Sequence, residues 1–433
     1  MNNLPFEFPQ EVIDACISGN LVVFAGAGIS TEQRNVFIDS LYEDLKFDSG
    51  IDQKSDIDFP ELVSTFCNQP NGRKKFLQKL KYRLDYVHQF PELYSKASRF
   101  HKEISTIWSI NTFITTNWDD YFERQCGAIP LVTDQDVAAF SDIPERKVLK
   151  IHGSIYNYGS IIASNEDYQR CYRQLSKNII GSQLKSILAT KVVLFVGYSF
   201  RDFDFNKIYQ FIRKELKEVT PHSYIVTLDK SNEFKDINST VIRTDASYFI
   251  SRLKEHLVHS NFMMEDELYD IVEIMDDIRR DIHHSYLFKK IDFEKYPDAV
   301  FTAMYQDGME HAFDYILYKR KTGLMSNFSY LENHMKSYRD VLRKQKIQEK
   351  RYHDVAYIDG YIWGLTCFIA KDEFKKKIPM FYIYGHGPVL EKKKFEEMLE
   401  STKKPHKSAS KWAHNFIRKV YKKDTAIHHS PFL

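Results

Sequence analysis

Leu21-Val22-Val23-Phe24-Ala25-Gly26-Ala27-Gly28-Ile29-Ser30 is the stretch whose reading decides the fold. Five consecutive apolar residues, two of them β-branched, are closed by a Gly-Ala-Gly turn. Such a run is too short for a buried helix and reads as a strand buried on both faces. Four further runs share that character: Thr112 to Thr116, Val148 to Ile151, Val192 to Val196 and Tyr224 to Leu228. A weaker sixth spans Thr240 to Arg243. Stretches with helical spacing lie between several of them, notably Pro60 to Tyr82, Gln89 to Ile110 and Ile179 to Ala189. Buried strands alternating with helices specify a parallel sheet covered on both sides, so the expected class is a doubly wound, Rossmann-like α/β fold.

Past about residue 255 the pattern changes. Glu265 to His284 reads as an amphipathic helix, with Leu268, Ile271, Ile274, Met275 and Ile278 at helical intervals. From Lys290 onward the chain reads as mostly helical, apart from a short aromatic run at Met380 to Tyr384. The expected organisation is therefore a nucleotide-binding domain over 1–288 and a mostly helical regulatory or oligomerisation domain over 289–433.

Composition narrows the function. With 43% hydrophobic and 15% aromatic residues in 433, the chain is globular rather than disordered. Its formal net charge is only +2, which does not describe a polyanion binder. The charge is unevenly spread: residues 331–433 hold 22 Lys and Arg against 12 Asp and Glu, leaving the first 330 residues acidic. Lysine runs such as Lys375-Lys376-Lys377 and Lys392-Lys393-Lys394 are interspersed with Glu396, Glu397 and Glu400. They read as solvated helix faces, so direct nucleic-acid binding is not expected. Tyr357, Tyr361, Trp363 and Phe368 fall on a stretch that reads as a buried or oligomer-facing helix rather than a base-stacking platform.

The five cysteines (Cys16, Cys67, Cys126, Cys171 and Cys367) contain no Cys-x-x-Cys pair, so neither a zinc ribbon nor a disulfide framework is expected. No basic-then-apolar leader and no apolar run of about 20 residues is present. A cytoplasmic protein without a membrane segment is the expectation.

The chemistry concentrates at strand ends. In a parallel sheet these ends face the ligand crevice. After strand one, Gly26 and Gly28 allow backbone N–H groups to approach a pyrophosphate, and Ser30 can cap a following helix or donate to a phosphate; a tight connection explains the same glycines. Thr31 occupies the third glycine position of the Gly-x-Gly-x-x-Gly fingerprint, which disfavours a dehydrogenase half-fold. After strand two come Thr116-Asn117-Trp118-Asp119. Asn117 offers a donor and an acceptor to a ribose hydroxyl or a water, or else the segment is an Asx-turn opening a helix through Tyr121 and Phe122. After strand three, His152-Gly153 presents either a proton acceptor of near-neutral pKa or a structural imidazole. After strand four, Gly197 permits close backbone approach, and Ser199 binds phosphate or ribose, or caps a helix over Asp204 to Leu216.

Four signals in that order, Gly-Ala-Gly-Ile-Ser, Thr-x-Asn-x-Asp, His-Gly and Gly-x-Ser, resemble the sirtuin (silent information regulator) family over about Leu21 to Asp229. The resemblance implies that Ala25, Gly26, Gly28 and Ser30 line the pyrophosphate of NAD. It puts Asn117 and Asp119 beside the nicotinamide ribose and makes His152 the catalytic histidine. Gly197 and Ser199 then contact the adenosine half, with Asp229 a weaker candidate for the adenosine ribose. Three departures separate the chain from protein-deacylating sirtuins, one being that the loop after His152 has no apolar segment suited to clamp an acyl-lysine peptide. Their four-cysteine zinc module is absent, since only Cys171 lies between His152 and the next strand. Their Pro-Asp-Phe-Arg run is replaced by Thr31-Glu32-Gln33-Arg34-Asn35. The Asn-Trp-Asp and Val-Gly-Tyr-Ser forms are similar to those of bacterial sirtuin-like NADases of anti-phage defence. That likeness implies an NAD+ hydrolase that uses NAD as substrate without zinc. It also implies a homo-oligomer and a HerA-type ATPase partner from a neighbouring gene. Two alternatives stand beside it: an NAD-dependent deacylase or ADP-ribosyltransferase, and a non-catalytic nucleotide-binding scaffold.

Overall fold

The computed structural model describes residues 6–30, 37, 39–198, 209–210, 214, 221–228, 239–278, 299–344 and 352–369. The chain divides into two compact units, residues 1–262 and 263–433. Residue 288, where the sequence reading places its boundary, lies outside the described residues.

The first unit is built on seven parallel strands: β1 (Leu21–Ala25), β2 (Thr112–Thr115), β3 (Ile129–Leu131), β4 (Lys147–Lys150), β5 (Val192–Val196), β6 (Ser223–Thr227) and β7 (Ser239–Arg243). Their order across the sheet is β3-β4-β2-β1-β5-β6-β7. From β1 the chain builds outward on one side through β2, β4 and β3. It then returns to lay β5 against the other side of β1, with Leu21↔Val192 in register. Connections therefore leave β1 and β5 in opposite directions, and their C-terminal ends bound the crevice where such sheets bind ligands. All five residues of β1 are buried, as a strand covered on both faces requires. On one face Val22, Phe24, Ile114, Leu149 and Phe195 pack against Leu184, Ile187 and Leu188 of helix Ile179–Thr190. On the other, Phe113 stacks on Phe122 with ring centroids 4.5 Å apart.

Among the described residues of the first unit the α-helices are α1 (Gln10–Ile17), α2 (Leu41–Asp48), α3 (Phe59–Cys67), α4 (Gly72–Gln89), α5 (Pro91–Ala97), α6 (Arg99–Ser105), α7 (Tyr121–Cys126), α8 (Asp134–Phe140), α9 (Asn165–Lys177), α10 (Ile179–Thr190) and α11 (Ala246–His259). The stretch expected as one helix over Pro60 to Tyr82 is two. Pro70 cannot continue a helix, and Asn71 adopts φ +59°, turning the chain between α3 and α4. Helices α2 to α4 form their own core around Leu45, Leu62, Phe66 and Phe76. That core also takes in Ile155, Ile161 and Ala163 from the loop after β4. Strand β3 was not expected; Pro130 sits within it, which an edge strand tolerates.

In the second unit the described residues form α12 (Glu267–Ile278), α13 (Ala299–Arg320), α14 (Phe328–Lys344) and α15 (Tyr352–Ile369), giving a helical C-terminal region. Helices α13 and α15 cross backbone to backbone. A Cβ on Gly308 would lie 1.9 Å from the Tyr357 carbonyl oxygen, and one on Gly360 would lie 1.9 Å from that of Tyr305. Tyr357, Tyr361 and Phe368 are buried on α15. The run Met380 to Tyr384 falls outside the described residues. No described helix is long and apolar enough to cross a membrane.

Candidate functional site

The ends of β1 and β5 meet through glycine. Gly26 N–H donates to the Val196 carbonyl (3.0 Å) and Gly28 N–H to that of Gly197 (2.9 Å). A Cβ on Gly26 would stand 2.6 Å from the Gly197 carbonyl oxygen, and one on Gly28 2.8 Å from Gly197 Cα. Gly197 has φ +58°, and its own Cβ would lie 2.6 Å from Ile29 N. The tight-connection explanation of these glycines therefore holds, because the two turns lie backbone on backbone. Ala27–Ile29 form one 3-10 turn, and Ala27 and Gly28 are exposed at the sheet edge. Ala25 is fully buried, and its carbonyl accepts from Thr115 Oγ1 (3.0 Å).

Beside this contact opens a cavity of about 460 Å³ whose lining includes Gly28, Arg99, Gly197, Thr227, Thr244 and Asp245. Arg99 Nη2 donates to both carboxylate oxygens of Asp245, each at 2.7 Å. The same carboxylate caps α11 by accepting from Tyr248 N–H (3.0 Å). Thr244 is fully buried, and its hydroxyl has no hydrogen-bond partner. Arg99, Thr244 and Asp245 were not anticipated. An aspartate ahead of an apolar helical pattern is a legible cap signal at Asp245, whereas nothing in the sequence pairs it with Arg99. Ser199 and Asp229 lie outside the described residues; Leu228, the neighbour of Asp229, lines the cavity.

On the other flank of β1, Asn117 is 7% exposed. Its Nδ2 donates to the Gly26 carbonyl (3.2 Å) and to Ser30 Oγ (3.1 Å). Its Oδ1 is buried without a hydrogen-bond partner. A buried amide oxygen left unsatisfied is costly in a folded protein and calls for a reason. Asp119, not Asn117, makes the Asx-turn at the start of α7: its Oδ1 accepts from Tyr121 N–H (3.2 Å). Burial pushes the Asp119 carboxyl above its ordinary range, against the lowering pull of the Lys150 cation and a hydrogen bond from Ser30. Lys150, fully buried, donates to the Asp119 carbonyl and pairs with Glu123 Oε1 at 2.9 Å.

His152 follows β4 and is 6% exposed. Its ring meets Tyr168 of α9 edge-on at 5.0 Å, and its carbonyl accepts from Ile162 N–H (3.0 Å). Gly153 turns the chain at φ +87°, with the Ser160 backbone where a side chain would stand. Register relates the imidazole to the amide. Thr115 pairs with Lys150, so Asn117 and His152 each stand two residues beyond that pair, in the loops that leave the ends of neighbouring parallel strands. The two loops are also joined by Ile155 N–H donating to the Trp118 carbonyl (2.9 Å). The sheet edge thus brings Gly26, Ser30, Asn117, Asp119 and His152 onto one side of β1. The cavity lies on the other side, and Asn117, Asp119 and His152 are not among its lining residues.

Residues 111–251 match the family described as SIR2-like domain. The matched span takes in β2 through the first turns of α11, and so Asn117, Asp119, His152 and Gly197. Gly26 and Ser30 lie ahead of it and are tied in by the Asn117 hydrogen bonds. The chain is similar to NAD(+) hydrolase ThsA of Enterococcus faecium, 27% identical over 278 residues, covering 62% of this chain and 56% of the relative. ThsA of Acinetobacter baumannii is 23% identical over 292 residues, 64% and 57% of the two chains. Defense-associated sirtuin 2 of Bacillus subtilis is 22% identical over 441 residues, covering 94% of this chain and 42% of that one. The chain spans about half the length of the relatives it matches. Among the described residues no group of three or more His, Cys, Asp or Glu side chains is placed to hold a metal ion.

Proposed function

We propose that the SIR2-like domain hydrolyses the N-glycosidic bond of NAD+, yielding nicotinamide, ADP-ribose and a proton, and that the chain acts in antiviral defence. The observation that carries the reading is the buried, unpartnered Oδ1 of Asn117, at the sheet edge it shares with His152. An acceptor already desolvated and held by two bonds through its own Nδ2 can take a hydrogen bond from a ribose hydroxyl or from the attacking water without reorganising. Asn117 orients that group, and His152 accepts the proton that the water or hydroxyl gives up. Asp119, whose carboxyl is biased toward the neutral form by burial, faces the nicotinamide side. The glycine turns Gly26, Gly28 and Gly197 offer a surface without side chains to the pyrophosphate. The cavity at Thr244 and Asp245 takes the adenosine half, with the orphaned Thr244 hydroxyl as a polar contact. Ala25, Ser30, Ser199 and Asp229 complete the assignment made from the family pattern.

The names of the relatives support the chemistry: NAD(+) hydrolase for ThsA and a defence-associated sirtuin for the protein matched over nearly the whole chain. The reading includes a cytoplasmic homo-oligomer controlled through residues 289–433 and a HerA-type ATPase companion. Sedimentation of the chain with and without the neighbouring gene product tests those two parts.

The central test is nicotinamide release from NAD by the full chain, alone and with that gene product. Asn117→Ala and His152→Ala should each lose about 10²-fold or more, the range expected for a positioned acid–base or electrostatic group. Undiminished release in both variants would remove the assignment.

A further inference from the structure

Asp119 and Asp120 are adjacent carboxylates with separate surroundings. Asp119 makes the turn into α7, while Asp120, at the cap position itself, makes no side-chain bond to the helix backbone. Asp120 is nonetheless fully buried, and its oxygens face side chains from three elements. Oδ1 lies 3.0 Å from Nε2 of His88, near the end of α4. Oδ2 accepts from Arg124, one turn along α7, and from the hydroxyl of Tyr156, four residues after His152. Arg124 Nη2 also donates to the Tyr156 oxygen at 3.0 Å. Burial opposes ionisation of Asp120, but the adjacent His88 ring nitrogen and the hydrogen bonds from Tyr156 and Arg124 outweigh it and hold the carboxyl well below its ordinary range.

Tyr156 is 66% exposed, so packing does not explain why its hydroxyl is fixed. Asp120 stands three residues after Asn117, and Tyr156 stands four after His152. Their hydrogen bond therefore ties together the two loops whose spacing sets the distance between amide and imidazole. We infer that Asp120 is a positioning residue that, through the Tyr156 hydroxyl, clasps the His152 loop onto the Asn117 loop. The inference rests on the NAD-hydrolase reading for its catalytic consequence, and on the loop contact alone for its structural one.

The test uses the full chain with two variants, Tyr156→Phe and Asp120→Asn, and Tyr158→Phe on the neighbouring exposed tyrosine as control. Tyr156→Phe removes one hydroxyl from an exposed ring, so folding survives even if Asp120→Asn does not fold. Two readouts are taken: kcat and KM for nicotinamide release, and hydrogen exchange at the Ile155 amide, which bridges the same loops. A clasp predicts faster Ile155 exchange and a kcat lowered about tenfold or more with KM little changed, since misplacement by about 1 Å costs up to ~10²-fold. The control stays at the wild-type value in both. Unchanged Ile155 exchange in Tyr156→Phe overturns the inference whatever the activity. Faster exchange with unchanged kcat overturns the positioning role. A wild-type chain that releases no nicotinamide, alone or with its gene neighbour, sinks the hydrolase reading instead and leaves the clasp to be judged on exchange.

Discussion

Replacing Gly197 with alanine tests whether the β1 and β5 turns need each other, and Gly50 supplies the control. Both glycines have positive φ, +58° and +66°, so alanine pays the same left-handed backbone penalty at each, about 1–2 kcal/mol. At Gly50 nothing lies within 4 Å of the new Cβ, whereas at Gly197 it would meet Ile29 N at 2.6 Å and Gly28 carbonyl carbon at 2.8 Å. Those neighbours are backbone atoms and cannot rotate away, so the two turns must part, adding about 1–3 kcal/mol as in overpacked cores. Gly50→Ala should then cost about 1–2 kcal/mol and Gly197→Ala about 2–5 kcal/mol, on the same two principles. For a unit of this size each ~1 kcal/mol lowers Tm by roughly 2–4 °C. The expected drops are therefore about 2–8 °C for Gly50→Ala and about 4–20 °C for Gly197→Ala, read by calorimetry. Because the parted turn includes Gly28, Gly197→Ala should also depress nicotinamide release, while Gly50→Ala leaves it intact. Equal Tm values for the two variants would show that the turns do not bear on each other, and the account of the glycine contact would be wrong.

Three further outcomes are expected from buried groups. Lys150→Met strands Glu123, whose carboxyl burial already raises, and should cost about 3–5 kcal/mol in denaturant unfolding; Lys150→Met/Glu123→Leu should recover most of it, and a double variant no better than the single would refute the pairing. Asp119→Asn should stabilise the protein at neutral pH. The folded carboxyl titrates above its unfolded value of 3.8, so the wild type loses stability as pH rises through the folded pKa. The Tm gain should vanish below the unfolded value, grow as pH rises through the folded pKa and then level off, and a gain that shrinks with pH contradicts the burial argument. Gly360→Ala gains about 1 kcal/mol of helix propensity, yet must push α15 off the Tyr305 carbonyl. A net loss of stability is expected by limited proteolysis of residues 263–433, and an unchanged or slower cleavage would count against the close crossing.

What the sequence discloses here is set by how far away each residue's partner lies. Six strands are legible because a both-face-buried strand needs only its own apolar run, as Leu21–Ala25 and Val192–Val196 illustrate. β3 is not, because three residues with Pro130 inside them read as a break, and only pairing with β4 makes them a strand. The strand-end residues are legible for the same local reason: the places of Asn117 and His152 are set by where β2 and β4 stop. The residues missed take their roles from partners elsewhere in the chain. Arg99 meets Asp245 across 146 residues, and Asp120 meets Tyr156 across 36. The pair Asp119-Asp120 makes the limit concrete. Side by side in the sequence the two carboxylates are interchangeable, and nothing local says which will start the helix and which will hold the neighbouring loop. Folding divides the tasks, since the turn into α7 delivers the two side chains to different neighbours. One carboxyl falls beside Ser30 and Lys150, and the other falls among His88, Arg124 and Tyr156.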